Sequence, residues 1–423
     1  MRFEELGLSE PIVGAVAAEG YTAPTPIQVS AIPHVLAGSD LLGCAQTGSG
    51  KTGAFALPIL HRLSIDQTRQ AATTRTRPRA LVLCPTRELA SQIAEFFRAY
   101  GRNLRLRHTA VFGGVSQHHQ VRALKAGVDI LVATPGRLLD LMNQGIVDLR
   151  SIEVFVLDEA DRMLDMGFIH DIRTIAARVP ARRQTLLFAA TMPDDIHRLA
   201  ASLLHNPAYV QVDPLASTVQ TVSQSVYLVP RRNKPALLEH LLHSRRMTRT
   251  LVFTRTKHGA DKVVRELQQA GIRAQAIHSN KNQVARTRAL DAFKSAAPPV
   301  LVATDVASRG IDVDDITHVI NYDMPNVPET YIHRVGRTAR AGASGCALSF
   351  CDEDERAHLR AIERLIRMQI EVNEDQPALT YLAGPERPRS GPRIASRSRR
   401  TSEPRRLAWR PRRSAAPRLK SQR

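Results

Sequence analysis

Short apolar runs recur along most of this chain, separated by polar or glycine-containing turns. Leu41-Leu42-Gly43-Cys44, Arg79 to Cys84, Asp129 to Ala133, Val154 to Leu157 and Gln184 to Phe188 are too short for helices and apolar on both faces. Such runs predict strands of a parallel sheet covered on both sides. Helical segments lie between them: Gly53-Ala54-Phe55-Ala56-Leu57 opens one, and Pro85-Thr86-Arg87-Glu88-Leu89-Ala90 leads into another. Strand–helix alternation predicts an α/β fold, in which ligand groups belong at the carboxyl ends of the strands. Phe3 to Leu8 reads as a short amphipathic opening, and the Arg/Thr-rich stretch Ser64 to Arg79 as a mobile loop.

The second half echoes the first. Leu81-Val82 matches Leu251-Val252, and Leu131-Val132-Ala133-Thr134 matches Leu301-Val302-Ala303-Thr304, both at an offset of 170 residues. This predicts two copies of one α/β domain, over 1–211 and 224–378, joined by a linker over 212–223.

The first copy carries a nucleotide motif at a strand end. Ala45-Gln46-Thr47-Gly48-Ser49-Gly50-Lys51-Thr52 follows the first apolar run and precedes a helix. Small residues there let backbone N–H groups curl around phosphate oxygens, and the helix dipole favours the anion. Lys51 is placed to reach the β/γ-phosphates, and Thr52 to hold Mg²⁺. Ala45 stands where the general pattern has Gly, which is tolerable if its φ stays negative. The offset puts the second copy's equivalent at 215–222, which lacks both glycine and lysine. One copy therefore holds the nucleotide. Upstream, Pro24-Thr25-Pro26-Ile27-Gln28 presents one amide on a rigid backbone, able to read the N6/N7 edge of adenine. Val154 to Leu157 runs into Asp158-Glu159-Ala160-Asp161, and adjacent carboxylates at a strand end suit metal-assisted phosphoryl transfer. Such transfer also needs cations on the γ-phosphate side, and His333-Arg334-Val335-Gly336-Arg337-Thr338-Ala339-Arg340 supplies them.

Composition adds a polyanionic partner. The chain has 423 residues and a net charge of +19, which favours nucleic acid. From Ala383 to Arg423, 13 Arg and one Lys stand against two Glu, leaving +7 for the other residues. With six prolines, this tail (379–423 in the domain reading) is expected to be disordered. Four cysteines without C-x-x-C spacing point to a reducing compartment, and no secretory leader or membrane span is read. A cytoplasmic monomer is expected. His118-His119 reads as exposed rather than metal-binding, and Trp409 as a bystander in the tail.

These motifs, in this order, resemble those of a DEAD-box ATP-dependent RNA helicase, most similar to the bacterial RhlE-like group. The likeness covers roughly 3–370. It implies two tandem RecA-like domains, a P-loop NTPase of helicase superfamily 2, with ATP, Mg²⁺ and RNA bound across the cleft. It further implies that Phe3, Tyr21 and Gln28 form the adenine-selecting motif. Asp158 would hold Mg²⁺ through water, and Glu159 would orient or activate the attacking water. Arg337 and Arg340 would be arginine fingers, with Gly310 and Asp312 reaching ATP from the same side. Pro85, Thr86, Arg87, Gly113, Gly114, Thr134, Pro135, Gly136, Arg137, Arg255, Gln283, Arg286 and Thr304 would contact RNA. These are groups for phosphate and sugar, so recognition should be largely sequence-independent.

Two departures stand out. The family has Gly where this chain has Ala339, with little consequence expected. It has Ser-Ala-Thr where this chain has Ala189-Ala190-Thr191, so a hydroxyl bonding Asp161 is missing. With His333, those residues would couple ATP state to domain closure. The loss of the hydroxyl motivates an alternative, an ATP-gated RNA clamp that unwinds little. A DNA translocase is disfavoured by the Gln28 and Asp-Glu-Ala-Asp motifs, and a transporter ATPase or nucleotide kinase by the arginines at 333–340.

Overall fold

A computed structural model describes residues 1–45, 48–65, 77–212, 222–244, 247–305, 313, 316–339 and 345–373. The first sheet holds β1 (Leu41–Cys44), β2 (Ala80–Leu83), β3 (His108–Val111), β4 (Ile130–Ala133), β5 (Val154–Leu157), β6 (Gln184–Ala189) and β7 (Ala208–Gln211). The second holds β8 (Val222–Leu228), β9 (Thr250–Thr254), β10 (Ala274–Ile277), β11 (Val300–Thr304), β12 (His318–Asn321), β13 (Gly345–Cys351) and β14 (Glu371–Val372). Their orders are β3-β4-β2-β5-β6-β1-β7 and β10-β11-β9-β12-β13-β8-β14. Counting from β1 and from β8, these are the same order. Strand pairings such as β2 with β5 and β9 with β12 are parallel. The repeat read from two dipeptides is thus a repeat of whole topology.

The apolar strands explain the sheets. β1, β2, β4 and β5 are buried along their whole length because helices cover both faces. Two cores result in the first half. One side packs Ile27, Phe55, Phe97 and Val156, and the other packs Leu138, Phe155, Met163 and Leu199. In the second half Leu237, Val252 and Phe350 share one cluster, and Phe253, Phe293 and Leu301 another.

Three details of the sequence reading change. The 170-residue offset does not hold at the first strand of the second sheet: β8 begins at Val222, and Ser223 lies in it. The structural equivalent of the P-loop is therefore the turn after β8, leading to helix Lys234–Ser244, and not 215–222. The stretch expected to be a loop over Ser64 to Arg79 is ordered at both ends. Ser64 and Ile65 close helix Lys51–Ile65, and Arg79 is buried with its Nε 2.6 Å from Glu153 Oε1; 66–76 lie outside the described residues. So do most of the 212–223 linker and the whole tail with Trp409. No helix among the described residues is long and apolar enough to cross a membrane.

Candidate nucleotide and nucleic-acid site

The carboxyl ends of β1, β5 and β6 converge, as the strand order requires. β1 leads into the P-loop. Gly48 and Gly50 have φ of 86° and 95°, the left-handed region where a side chain is strained. A methyl on Gly50 would also stand 2.5 Å from Thr25 Oγ1 and 2.8 Å from Gln28 Nε2. Ala45 is not among the positive-φ residues, which is why alanine is accommodated there. Lys51 opens the following helix, is buried, and donates from Nζ to Ala45 O at 2.5 Å. Its ammonium thus lies folded over the loop. Ser49, Gly50 and Thr52 complete the described part of the loop. Gln46 and Thr47 lie outside the described residues, as do Gly310, Asp312 and Arg340.

Gln28 is buried beside the loop. Its Oε1 accepts from Thr25 N–H at 3.0 Å, and its Nε2 donates to Gly50 O at 3.1 Å. One lone pair and one N–H remain for a base edge. Tyr21 is exposed, its ring 6.3 Å from that of Tyr100. Phe3 is buried in the core, so it supports this segment without presenting a ring face to solvent.

β5 delivers the acidic pair. Asp158 is 2% exposed, and burial raises its pKa to about 7 against the opposing charge of Lys51. Its Oδ1 accepts the Glu159 N–H at 3.0 Å. A buried carboxylate whose charge is so poorly compensated fits a divalent cation. Glu159 has φ 53° and ψ 49°, a left-handed conformation for a non-glycine residue. Such conformations cost on the order of 1–3 kcal/mol and cluster at working sites. Burial opposes ionisation of its carboxyl, but Arg162, Lys51 and Arg337 together hold its pKa below the usual value. Arg337 follows helix Pro328–Val335 in the second half, is buried, and donates from Nε to His333 O at 3.1 Å. Lys51 of the first half and Arg337 of the second thus both favour the charged form of Glu159.

The link from Asp161 to β6 survives the missing serine. Asp161 Oδ2 accepts from Ala190 N (3.1 Å), Thr191 N (2.9 Å) and Thr191 Oγ1 (3.0 Å). Ala189 itself is fully buried at the strand end. Asp161 thus keeps a hydroxyl partner in Thr191 although the one at 189 is missing, and the structure does not specifically favour the clamp alternative.

Of the residues expected to contact nucleic acid, Arg87, Gly114, Arg137, Gln283 and Arg286 come together around Glu88. Thr86 caps helix Arg87–Tyr100 by accepting from Leu89 N–H at 3.3 Å. Pro85 is buried before it. Thr134 and Pro135 begin helix Pro135–Asn143, with Gly136 exposed. The Arg87 guanidinium lies over Gly114: a methyl there would be 1.9 Å from Nη1, and φ is 74°. Only glycine fits. Gly113 has open space beside it. Burial, then Arg286 and Arg137, press the Arg87 pKa down, so three arginines crowd one region. Glu88 offsets them. Its Oε1 accepts from Gln283 Nε2 at 3.0 Å and pairs with Arg286 Nη2 at 3.0 Å. Sequence reasoning overlooked Glu88, although it stands beside Arg87. Thr304 is buried at the end of β11. Arg255 is already engaged, donating from Nη2 to Glu355 Oε1 at 2.5 Å and to Met324 O at 3.3 Å. Arg334, read in the sequence as part of the cationic stretch 333–340, is engaged within its own domain. It is 1% exposed and pairs with both oxygens of Asp305, at 2.6 and 2.8 Å, and with Asn321 Oδ1. His118 and His119 are exposed at a helix start.

Comparison with known proteins decides the family. Residues 25–199 match the DEAD/DEAH box helicase model, and 233–342 match the helicase conserved C-terminal domain. The chain belongs to the DEAD/DEAH box helicase family. It is 43% identical over 370 residues to the ATP-dependent RNA helicase CshA of Listeria monocytogenes, covering 88% of this chain and 70% of that one. It is likewise 43% identical to the ATP-dependent RNA helicase DeaD of Buchnera aphidicola, over 88% of this chain and 61% of that one. Among solved structures it is similar to S. cerevisiae Dbp5 bound to RNA and ADP BeF3, with 29% identity, TM-score 0.77, and 88% and 95% of the two chains covered. The two sheets are thus tandem RecA-like domains of a helicase.

Proposed function

We propose that this chain is an ATP-dependent RNA helicase in which RNA-stimulated ATP hydrolysis drives local unwinding of short duplexes or remodelling of ribonucleoprotein. The observation that carries this reading is that the domains meet, Glu88 of the first pairing with Arg286 of the second, while Lys51 and Arg337 from the two domains favour the charge of Glu159. A site built from two bodies works only when they meet, which lets a polymer bound across both control hydrolysis. Gln28 selects adenine with its remaining valences, the P-loop from Ala45 to Thr52 and Lys51 hold the phosphates, and Glu159 orients and deprotonates the attacking water. Asp158 and Thr52 would hold Mg²⁺, whose chemistry when bound is to neutralise charge on the β/γ-phosphate oxygens. Arg337, with Arg340, stabilises the γ-phosphoryl charge, and Gly310 and Asp312 close the same side.

RNA lies along Pro85–Arg87, Gly113-Gly114, Thr134–Arg137, Arg255, Gln283, Arg286 and Thr304. The three crowded arginines support this reading, because Glu88 offsets only one of their charges and the excess suits a polyanion. In this reading the domains are 1–211 and 224–378, the second extended to Val222 to take in the start of β8, the protein works as a cytoplasmic monomer, and the basic tail adds contacts to RNA. The test compares single-stranded RNA and DNA of one sequence as activators of ATP turnover. RNA should activate strongly and DNA little. Equal activation would point instead to a DNA translocase.

A further inference from the structure

Glu159 is held by a residue that none of the family motifs quoted above includes. Arg162 follows the Asp-Glu-Ala-Asp stretch directly and lies one helical turn from Glu159, on helix Ala160–Asp165. It is 1% exposed, among the largest fully buried side chains of the molecule. Its Nη1 stands 2.9 Å from Glu159 Oε1 and 2.9 Å from Oε2. The pair is dry on both sides, with side-chain exposures of 2% and 5%. Arg162 N–H also donates to Asp161 Oδ1 at 3.0 Å, so its backbone is tied to the carboxylate that anchors the end of β6.

We propose that Arg162 is a positioning residue for hydrolysis: by bridging both carboxylate oxygens it fixes the rotation of the Glu159 head group. This rests on the reading of Glu159 as the group that takes the proton of the attacking water. In that step the water oxygen bonds to the γ-phosphorus, and one water proton passes to a Glu159 oxygen. The P–O bond to the β-phosphate breaks, and its electron pair leaves on ADP. A carboxylate serves this best if it cannot swing. A lone buried Glu, without a partner on both oxygens, would be free to rotate about its last bond. One nitrogen between the two oxygens blocks that rotation and leaves a lone pair on each oxygen for water. Arginine suits the task because its guanidinium does not lose its proton in a protein. Lys51 and Arg337 are reserved in the same reading for phosphate, so the cation that orients Glu159 has to be a third one.

The test is a double-mutant cycle under saturating RNA, with Arg162→Met and Arg162→Lys made in the native chain and in Glu159→Gln. Each variant is followed by kcat and KM for ATP, by fluorescent-ADP affinity and by melting temperature. Arg162→Met should lower kcat roughly 10–100-fold, as when the partner that orients a working ligand is removed. KM and ADP affinity should stay within about two-fold, since ground-state binding is untouched. Arg162→Lys, which keeps a buried cation, should retain the melting temperature and recover part of kcat, and it carries the test if Arg162→Met does not fold. In the Glu159→Gln background neither change should lower the residual rate further. An unchanged kcat in both Arg162 variants, or an equal loss with and without Glu159, would overturn the role of Arg162 alone. Native turnover in Glu159→Gln would overturn the assignment of Glu159, and with it this one.

Discussion

At the scale of the residue, Ala339 shows a departure from the family with a cost. Its φ is 54°, in the left-handed region that glycine enters without penalty and alanine does not. Little consequence was expected from the sequence, because nothing in a string of letters gives the sign of φ. The family's glycine at this position is explained by that angle. Ala339→Gly should therefore stabilise the second domain by about 1 kcal/mol, the left-handed penalty less the extra freedom glycine gains when unfolded. Denaturant unfolding of the variant beside the native chain measures it. Equal midpoints would mean that the turn is not held in this conformation. Glu159 carries similar strain, at φ 53°, but there the neighbours over-determine it.

At the scale of the element, the strands were legible because parallel strands buried on both faces read as unbroken apolar runs. The P-loop was legible because its glycines and Lys51 sit at a strand-to-helix junction. What the sequence did not disclose are the buried polar partners, since which carboxylate meets which cation depends on elements far apart in the chain. Glu88 with Arg286, and Arg334 with Asp305, are of this kind. Lys234 is another. It begins the helix after β8, the place Lys51 holds after β1. It is fully buried against Glu355 at 2.5 Å and Asp352 at 3.5 Å. The second domain thus fills its phosphate-like position with its own carboxylates. The bond that Thr191 makes to Asp161 from the loop after β6 was hidden for the same reason, and it bears on the missing serine at Ala189. Ala189→Ser should accordingly leave duplex displacement per ATP nearly unchanged. Thr191→Val should lower that ratio several-fold while ATP turnover persists, because a hydrogen bond to a charged acceptor is worth about 1.5–3 kcal/mol. Displacement and hydrolysis measured on one RNA substrate check both. A rise in Ala189→Ser would restore the clamp alternative.

At the scale of the molecule, charge and closure govern RNA binding. The segment from Ala383 to Arg423, outside the described residues, carries 13 Arg and one Lys against two Glu. Phosphate contacts made by such a segment release counterions, at roughly 0.7 in the log–log salt slope per contact on a single strand. Deleting it should flatten that slope while the ATPase remains, because every catalytic motif precedes it. Equal slopes with and without it would exclude a tether. The central claim, however, is that two domains share one hydrolytic site, and Arg337→Ala tests it most directly. RNA-stimulated ATP turnover should fall on the order of 10²–10³-fold, as for the loss of one preorganised charge-stabilising group, with nucleotide affinity near native. Turnover at the native rate in Arg337→Ala would contradict the account.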